Sequence, residues 1–251
     1  MDMDFRSEPE FRNHITTITV ASEEGRPFLD SRAYARLAEL LRQAAEDDEV
    51  RVVMLRGLAG CFCLGGDFGE FLDSSRHGDL IAAVTDMFRR LANFPKPIIG
   101  CVDGDAVGVG CTILFHCDLV VASPKSTFRV PFVDFGLVPD AATSILAPER
   151  MGYGAAFRFF CLGETLDAER AQALGVVHMN SGDEDAEIVA LRTARTLAKK
   201  PPRALVLTKG LLRGDTRLLC ERIDREISLF HGALQEESTI RRLSRLARMA
   251  A

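Results

Sequence analysis

The sequence has no tryptophan, two tyrosines and no apolar stretch approaching the ~18 residues of a membrane span. The nearest candidate, residues 94–102, is short and is punctuated by Pro95, Lys96 and Pro97. A strong charge of either sign is also missing. The net charge of −5 over 251 residues argues against a generic nucleic-acid surface. The N-terminal residues are acidic and contain no apolar signal core. Seven cysteines are scattered mostly through apolar runs, an odd count that suits reduced thiols in the cytoplasm. Cys61 and Cys63 have no second pair and no nearby histidine at zinc spacing, so no metal site is expected. There is no low-complexity tract and no clear repeat. The length suits one large domain, or a domain with an appendage.

Two glycine-dense runs stand out: Cys61-Phe-Cys-Leu-Gly-Gly-Asp67 and Asp103-Gly-Asp-Ala-Val-Gly-Val-Gly110. Each follows an apolar, strand-like run, and each sits where the chain should turn toward a helix. Glycine lets backbone N–H groups approach a ligand closely. Two such turns can aim two N–H donors at one oxygen, the arrangement of an oxyanion hole in acyl chemistry. The same glycines equally suit tight turns and close helix–strand packing.

Periodicity supplies the frame. Residues 14–20 alternate and are β-branched, and residues 50–55, 98–102, 118–122 and 127–130 also read as strands. Asp30 or Ser31 caps a helix with Tyr34, Leu37, Leu40 and Leu41 on its apolar face. Residues 79–93 form another helix, and residues 106–117 read as a buried, nearly all-apolar one. After about residue 141 the pattern is mostly helical. Asp167 caps a helix that Gly175 stops, and residues 176–179 form a short strand. Helices follow at 185–199, 203–213 and 215–248. The last carries an apolar stripe of Ile223, Ile227, Phe230 and Leu234. Alternating strands and helices give an α/β class.

The assembled pattern resembles the crotonase superfamily, the enoyl-CoA hydratase/isomerase family. The resemblance rests on Val52-Val-Met-Leu-Arg-Gly57, Phe62-Cys-Leu-Gly-Gly-Asp67, Pro95-Lys-Pro97 and the run 103–110. It continues through Cys117-Asp118, Phe135-Gly-Leu-Val-Pro139 and Leu174-Gly-Val-Val177. It implies a spiral of repeated ββα units over residues 1–195 and a helical trimerisation segment over residues 196–251. It also implies an acyl-CoA thioester substrate, no cofactor beyond the coenzyme A of that substrate, and a homotrimer or hexamer. By motif position, the oxyanion donors would be the N–H groups of Gly66 and Val109. The family usually has glycine at the second position, but only the N–H is needed there. Arg26, Phe28 and Leu29 would line the CoA channel, with Cys63, Leu64, Gly65 and Asp67 near adenine and pantetheine. Lys209 would meet a CoA phosphate or stand as a solvated lysine.

The acid/base positions separate the reactions of this family. The two glutamates of its hydratases correspond to Thr112 and Phe132 here, neither of which can act as a base. In the Δ3,Δ2-enoyl-CoA isomerase branch a single glutamate follows a Pro-Phe-x-x-x-Gly stretch. Here Pro131-Phe-Val-Asp-Phe-Gly136 leads to Asp140 at that place. One carboxylate suits an allylic isomerisation, which activates no water, and an apolar wall including Phe132 would raise its basicity. Asp140 equally reads as the cap of a following helix, which would lower its pKa. It also matches the nucleophile of the 4-chlorobenzoyl-CoA dehalogenase branch, but that enzyme's tryptophan is missing and the spacing of His77 does not fit. Asp67 is expected to brace its loop and His116 to be a core or helix-end histidine, while the direction of the Asp134 side chain, into the pocket or away from it, is left open. Asp105 and Asp118 suit turns and strand ends. An enoyl-CoA isomerase is the leading reading. Another crotonase reaction (hydratase-like, decarboxylating or polyketide-associated) and a non-catalytic acyl-CoA-binding module are the alternatives.

Overall fold

Short apolar runs become strands, and each strand stops where a glycine or polar residue turns the chain. The computed structural model describes residues 10–250. The first residues, expected to carry no signal core, lie outside the described residues. A hairpin opens the chain, with β1 (Glu10–Arg12) antiparallel to β2 (Ile15–Thr19). Helix α1 (Ser31–Glu46) is capped by Asp30, whose carboxylate accepts the Ala33 N–H at 2.8 Å.

One unit then recurs. In the first turn, β3 (Val52–Arg56) is followed by β4 (Cys61–Cys63), α2 (Phe68–Leu72) and α3 (His77–Ala92). In the second, β5 (Ile98–Val102) leads to β6 (Asp105–Val107), α4 (Val109–Thr112) and a 3-10 turn over Ile113–His116. In the third, β7 (Leu119–Ala122) leads to β8 (Thr127–Arg129), α5 (Phe132–Phe135), α6 (Thr143–Met151) and α7 (Tyr153–Cys161). The chain continues through β9 (Leu166–Asp167), α8 (Ala168–Ala173), β10 (Met179–Asn180) and α9 (Ala186–Ala198). It ends with α10 (Pro202–Arg213), α11 (Arg217–Leu234) and α12 (Glu237–Ala250). The first strand of each unit joins a six-stranded sheet, ordered β1-β2-β3-β5-β7-β10. The second joins a four-stranded sheet, ordered β4-β6-β8-β9. This is the expected spiral of ββα units with helices at its C-terminal end.

Alternation along β3 explains how the larger sheet is buried on both faces. Val53 and Leu55 enter the main core, while Val52 and Met54 face a second layer. Ala186, Ala190 and Ala194 of α9 cover that layer, their small side chains bringing the helix close. The C-terminal stripe Ile223, Ile227, Phe230 and Leu234 packs into the main core.

Three expectations need correction. Residues 106–107 are strand rather than helix, and α4 begins only at Val109. Gly108, at φ 55° and ψ −121°, breaks the run, and an apolar segment buried on every side carries no period to reveal the switch. The helix expected over 215–248 breaks at residues 235–236, after which α12 packs against α2 and α5. Only Met179–Asn180 pairs in the stretch read as strand at 176–179.

The two glycine runs meet through their backbones. A Cβ at Gly110 would lie 2.4 Å from the Cys63 carbonyl oxygen, an atom that belongs to β4 and cannot swing away. Gly110→Ala is therefore expected to destabilise the fold by ~1–3 kcal/mol through overpacking. A lowered midpoint in thermal or urea unfolding checks this; an unchanged midpoint would show that the contact is slack.

Candidate active site

Parallel pairing of β4 with β6 lays the two glycine runs side by side, with Cys63 opposite Ala106. Residues 27–29 add a third, strand-like edge. Leu64 N–H donates to the Pro27 carbonyl, Leu29 N–H to the Gly65 carbonyl, and Asp67 N–H to the Leu29 carbonyl, at 2.7–3.0 Å. These bonds bypass Gly66. Among the described residues neither the Gly66 nor the Val109 N–H has an acceptor within the chain. Val109 is the first residue of α4, so its N–H is one of the donors a helix start leaves free. Both residues line one cavity, open to solvent on one side, with about 670 Å³ of non-protein space including that open part. A Cβ at Gly66 would lie 2.4 Å from the tip of the Phe71 ring, so the backbone reaches the cavity only without a side chain.

The cavity walls are largely aromatic. Phe68, Phe71, Phe132, Phe135 and Phe230 all line it. Phe68 meets Phe135 edge-on at 5.5 Å, and Phe230 meets both Phe71 and Phe132 edge-on. Such contacts hold the rings as a rigid wall. Tyr34 of α1 and Ile227 of α11 complete it, so the C-terminal segment helps enclose the cavity.

Asp140 is the carboxylate among the described lining residues. It is buried, and its Oδ1 has no hydrogen-bond partner. Burial, the largest effect, pushes its pKa up to about 7; the Thr112 hydroxyl opposes the rise and the Glu226 carboxylate adds to it. The following residues, Ala141 and Ala142, both adopt left-handed backbone at φ 62° and 56°. Alanine is disfavoured there, so neighbours must hold the turn. Thr143 donates its N–H and hydroxyl to the Asp140 carbonyl at 3.0 and 2.5 Å. His116 Nε2–H donates to the Ala141 carbonyl at 2.8 Å. Burial pushes the His116 pKa down to about 3, so this ring is neutral; a carbonyl only accepts, which places the proton on Nε2.

The expectation that Asp140 caps a helix is corrected. The residue at the start of α6 is Ala142, and no side chain caps it. Asp140 thus gains no helix N–H to lower its pKa. His116 is the core histidine expected.

Of the other expected site residues, Leu64, Gly65 and Phe132 line the cavity. Thr112 is fully buried and acts on Asp140. Cys63 is buried, its thiol pushed up to about 12 by desolvation. Leu29 is buried and Phe28 half-buried in the added edge. Arg26 is exposed beside them, 3.5 Å from Asp67 and 3.4 Å from Glu24. Asp67 braces its loop as expected, accepting the Gly69 N–H at 2.6 Å as the cap of α2.

Neither Lys209 nor Asp134 lines the cavity. Lys209 is not a solvated lysine. Its ammonium is buried, donates to the Lys96 carbonyl at 2.6 Å and Asp118 at 2.7 Å, and lies over the Phe94 ring. Burial lowers its pKa to about 8 although Asp118 opposes this. Asp134 points away to the surface, paired with Arg129 at 2.9 Å. The cavity roles of Tyr34, Ile227 and Phe230 escaped the sequence reading. Their helical spacing marked them as core, and a core stripe looks the same whether it meets protein or ligand.

A family model described as enoyl-CoA hydratase/isomerase matches residues 10–245. The 1,2-epoxyphenylacetyl-CoA isomerase of Escherichia coli is 32% identical over 84% of this chain and 84% of its own length. The 2,3-dehydroadipyl-CoA hydratase of the same organism is 29% identical over 80% of this chain and 79% of its own length. Among solved structures, OdaA of Pseudomonas aeruginosa superposes with a TM-score of 0.88 at 30% identity, covering 95% of this chain and 97% of that one. With its two-sheet spiral and its cavity between two glycine turns, the chain belongs to the enoyl-CoA hydratase/isomerase, or crotonase, family of acyl-CoA enzymes.

Proposed function

We propose that this enzyme is an enoyl-CoA isomerase that moves the double bond of a 3-enoyl-CoA to position 2. The supporting observation is Asp140, a carboxylate with elevated proton affinity, set in an apolar cavity that also presents the free N–H groups of Gly66 and Val109. Thr112 and Phe132 stand where hydratases of the family carry their two glutamates. The thioester carbonyl lies between the two N–H donors, which also recognise the acyl-CoA. Asp140 takes a C2 proton, and the electron pair moves onto the carbonyl oxygen. The resulting dienolate is stabilised by both donors. Asp140 returns the proton to C4, and the double bond is left between C2 and C3. No water enters, which suits the phenylalanine wall and a single base. Aspartate is one methylene shorter than the usual glutamate. The left-handed turn after it, held by His116 and Thr143, sets the backbone from which the shorter side chain reaches.

A homotrimer or hexamer belongs to the same reading. Apolar side chains on α7, α10 and α11 face outward, with Leu211 and Leu212 each 85% exposed and Tyr153 74% exposed. Uncovered apolar surface of this kind suits an interface between copies. Among the described residues no helix is long and apolar enough to cross a membrane.

The deciding assay gives the purified protein 3-enoyl-CoA and 2-enoyl-CoA and separates the products by chromatography. Conversion of the first to the second is expected. Hydration of the second, or binding without turnover, overturns the isomerase reading in favour of another crotonase reaction or a binding module. Asp140→Asn should lower kcat by ~10²–10⁴, the usual worth of a general base. Wild-type kcat/KM should rise with pH through about 7, because the base must be ionised.

The same residue gives an opposite effect on stability. The unfolded carboxyl ionises near pH ~3.9, whereas the folded one holds its proton to about 7. Folding stability contributed here therefore falls as pH rises through that window. Urea unfolding should find Asp140→Asn more stable than wild type at pH 8, with the difference shrinking toward pH 4.

Val109→Pro tests the second donor. Proline is tolerated at the first position of a helix but has no N–H. A loss of ~10²–10³ in kcat with an unchanged circular dichroism spectrum is expected. Sedimentation should show trimers or hexamers; a monomer at micromolar concentration would remove the oligomer from the proposal.

A further inference from the structure

Glu226 is a buried carboxylate outside the cavity lining, bonded to the start of α6 just after Asp140, and the steps above do not use it. It projects from α11 and is 5% exposed. Buried carboxylates ordinarily have a cation or a full set of hydrogen bonds. Glu226 has a partial set. Its Oε1 accepts the Ser144 N–H at 3.0 Å, and its Oε2 is buried without a partner. Arg222, one turn earlier, donates instead to the Ser144 hydroxyl at 3.0 Å. Glu226 thus satisfies a free N–H at the start of α6 from 82 residues away. That start directly follows the left-handed turn carrying Asp140, whose Oδ1 is also buried and unpartnered.

We infer that Glu226 is a positioning residue for the isomerisation proposed above, holding the start of α6 and, as a buried negative charge beside Asp140, making that carboxylate a stronger base. Two neighbouring carboxyls in a poorly solvated site disfavour double ionisation, so the charge of one raises the proton affinity of the other. The inference rests on the isomerase reading for its catalytic consequence, but the coupling of the two carboxyls does not.

The surrounding charges permit this division of roles. Burial raises the Glu226 pKa, and the Ser144 hydrogen bond and the Arg222 charge oppose the rise. The neutral Thr112 hydroxyl acts on Asp140, and neutral Tyr34 lines the same cavity. On the elements packed around α11, several other charges have partners of their own. Arg89 of α3 pairs with Asp224, and His77 of α3 stands edge-on to His231. Arg241 of α12 pairs with Glu237, and Arg242 donates to the Asp134 carbonyl. Arg150 of α6 donates to the carbonyls of Leu114, Phe115 and Cys117.

Glu226→Gln separates charge from shape, because glutamine keeps an acceptor for the Ser144 N–H. The Asp140 carboxyl is followed by carbon-13 NMR in aspartate-labelled protein without substrate, its resonance assigned by its loss in Asp140→Asn. The titration midpoint is expected to fall by roughly one unit in Glu226→Gln. The midpoint of kcat/KM against pH for 3-enoyl-CoA should fall with it, and kcat should drop several-fold while KM changes little. Glu226→Asp, which restores the charge, should recover most of the midpoint. An unchanged Asp140 midpoint in Glu226→Gln overturns the inference, whatever happens to stability, and reduces Glu226 to a strut. A shifted resonance in a protein that turns over no enoyl-CoA overturns the isomerase reading and leaves the carboxyl coupling standing.

Discussion

Backbone-to-backbone approach between residues 61–67 and 103–110 is the constraint on which the site depends. β4 and β6 pair in parallel, and Gly110 then passes so close to the Cys63 carbonyl that no side chain fits between. The consequence is that two N–H groups without acceptors, at Gly66 and Val109, open into one cavity. Everything larger serves this contact. The spiral repeats a strand for each sheet, so successive turns of chain stack, and the six-stranded sheet is buried on both faces. A rigid double-sided sheet is what keeps two loops forty residues apart at a fixed separation.

The second constraint is desolvation. Five phenylalanines, with Ile227 and Phe230 supplied by α11, leave Asp140 in surroundings that solvate an anion poorly. A carboxylate there binds a proton far more readily than in water. The same burial disfavours the charged state on which the proposed base relies, so an ionised Asp140 costs stability at neutral pH. Its support comes from neighbours distant in sequence. His116, neutral because it is buried, holds the Ala141 carbonyl, and Glu226 holds the start of α6. Function and core packing therefore share residues rather than occupying separate regions.

The glycine runs, the strands around them and the place of Asp140 were legible because each leaves a local signature: glycine density, β-branched alternation, a fixed offset from Pro131 and Phe132. Residues 106–117 misled because an apolar run buried on all sides looks alike as strand or helix, and Gly108 marked the break with only one residue. Lys209 misled for a different reason. Its place on a helix was clear, but whether its ammonium met solvent or Asp118 depended on a contact 91 residues away. Glu226 left no signal. Its charge sits beside an apolar stripe and reads as the solvated edge of a helix.

By itself the sequence determined the class of fold, the family and the type of ligand, because these rest on patterns within a few residues of one another. The tertiary structure decided which carboxylates are buried, which lysine is spent in an internal ion pair, and that Asp140 lies in the cavity rather than capping α6. The physical reason is that proton affinity follows solvation and neighbouring charge. Both are set by residues brought together from α1, α4, α6 and α11, and no local pattern records how those elements will pack.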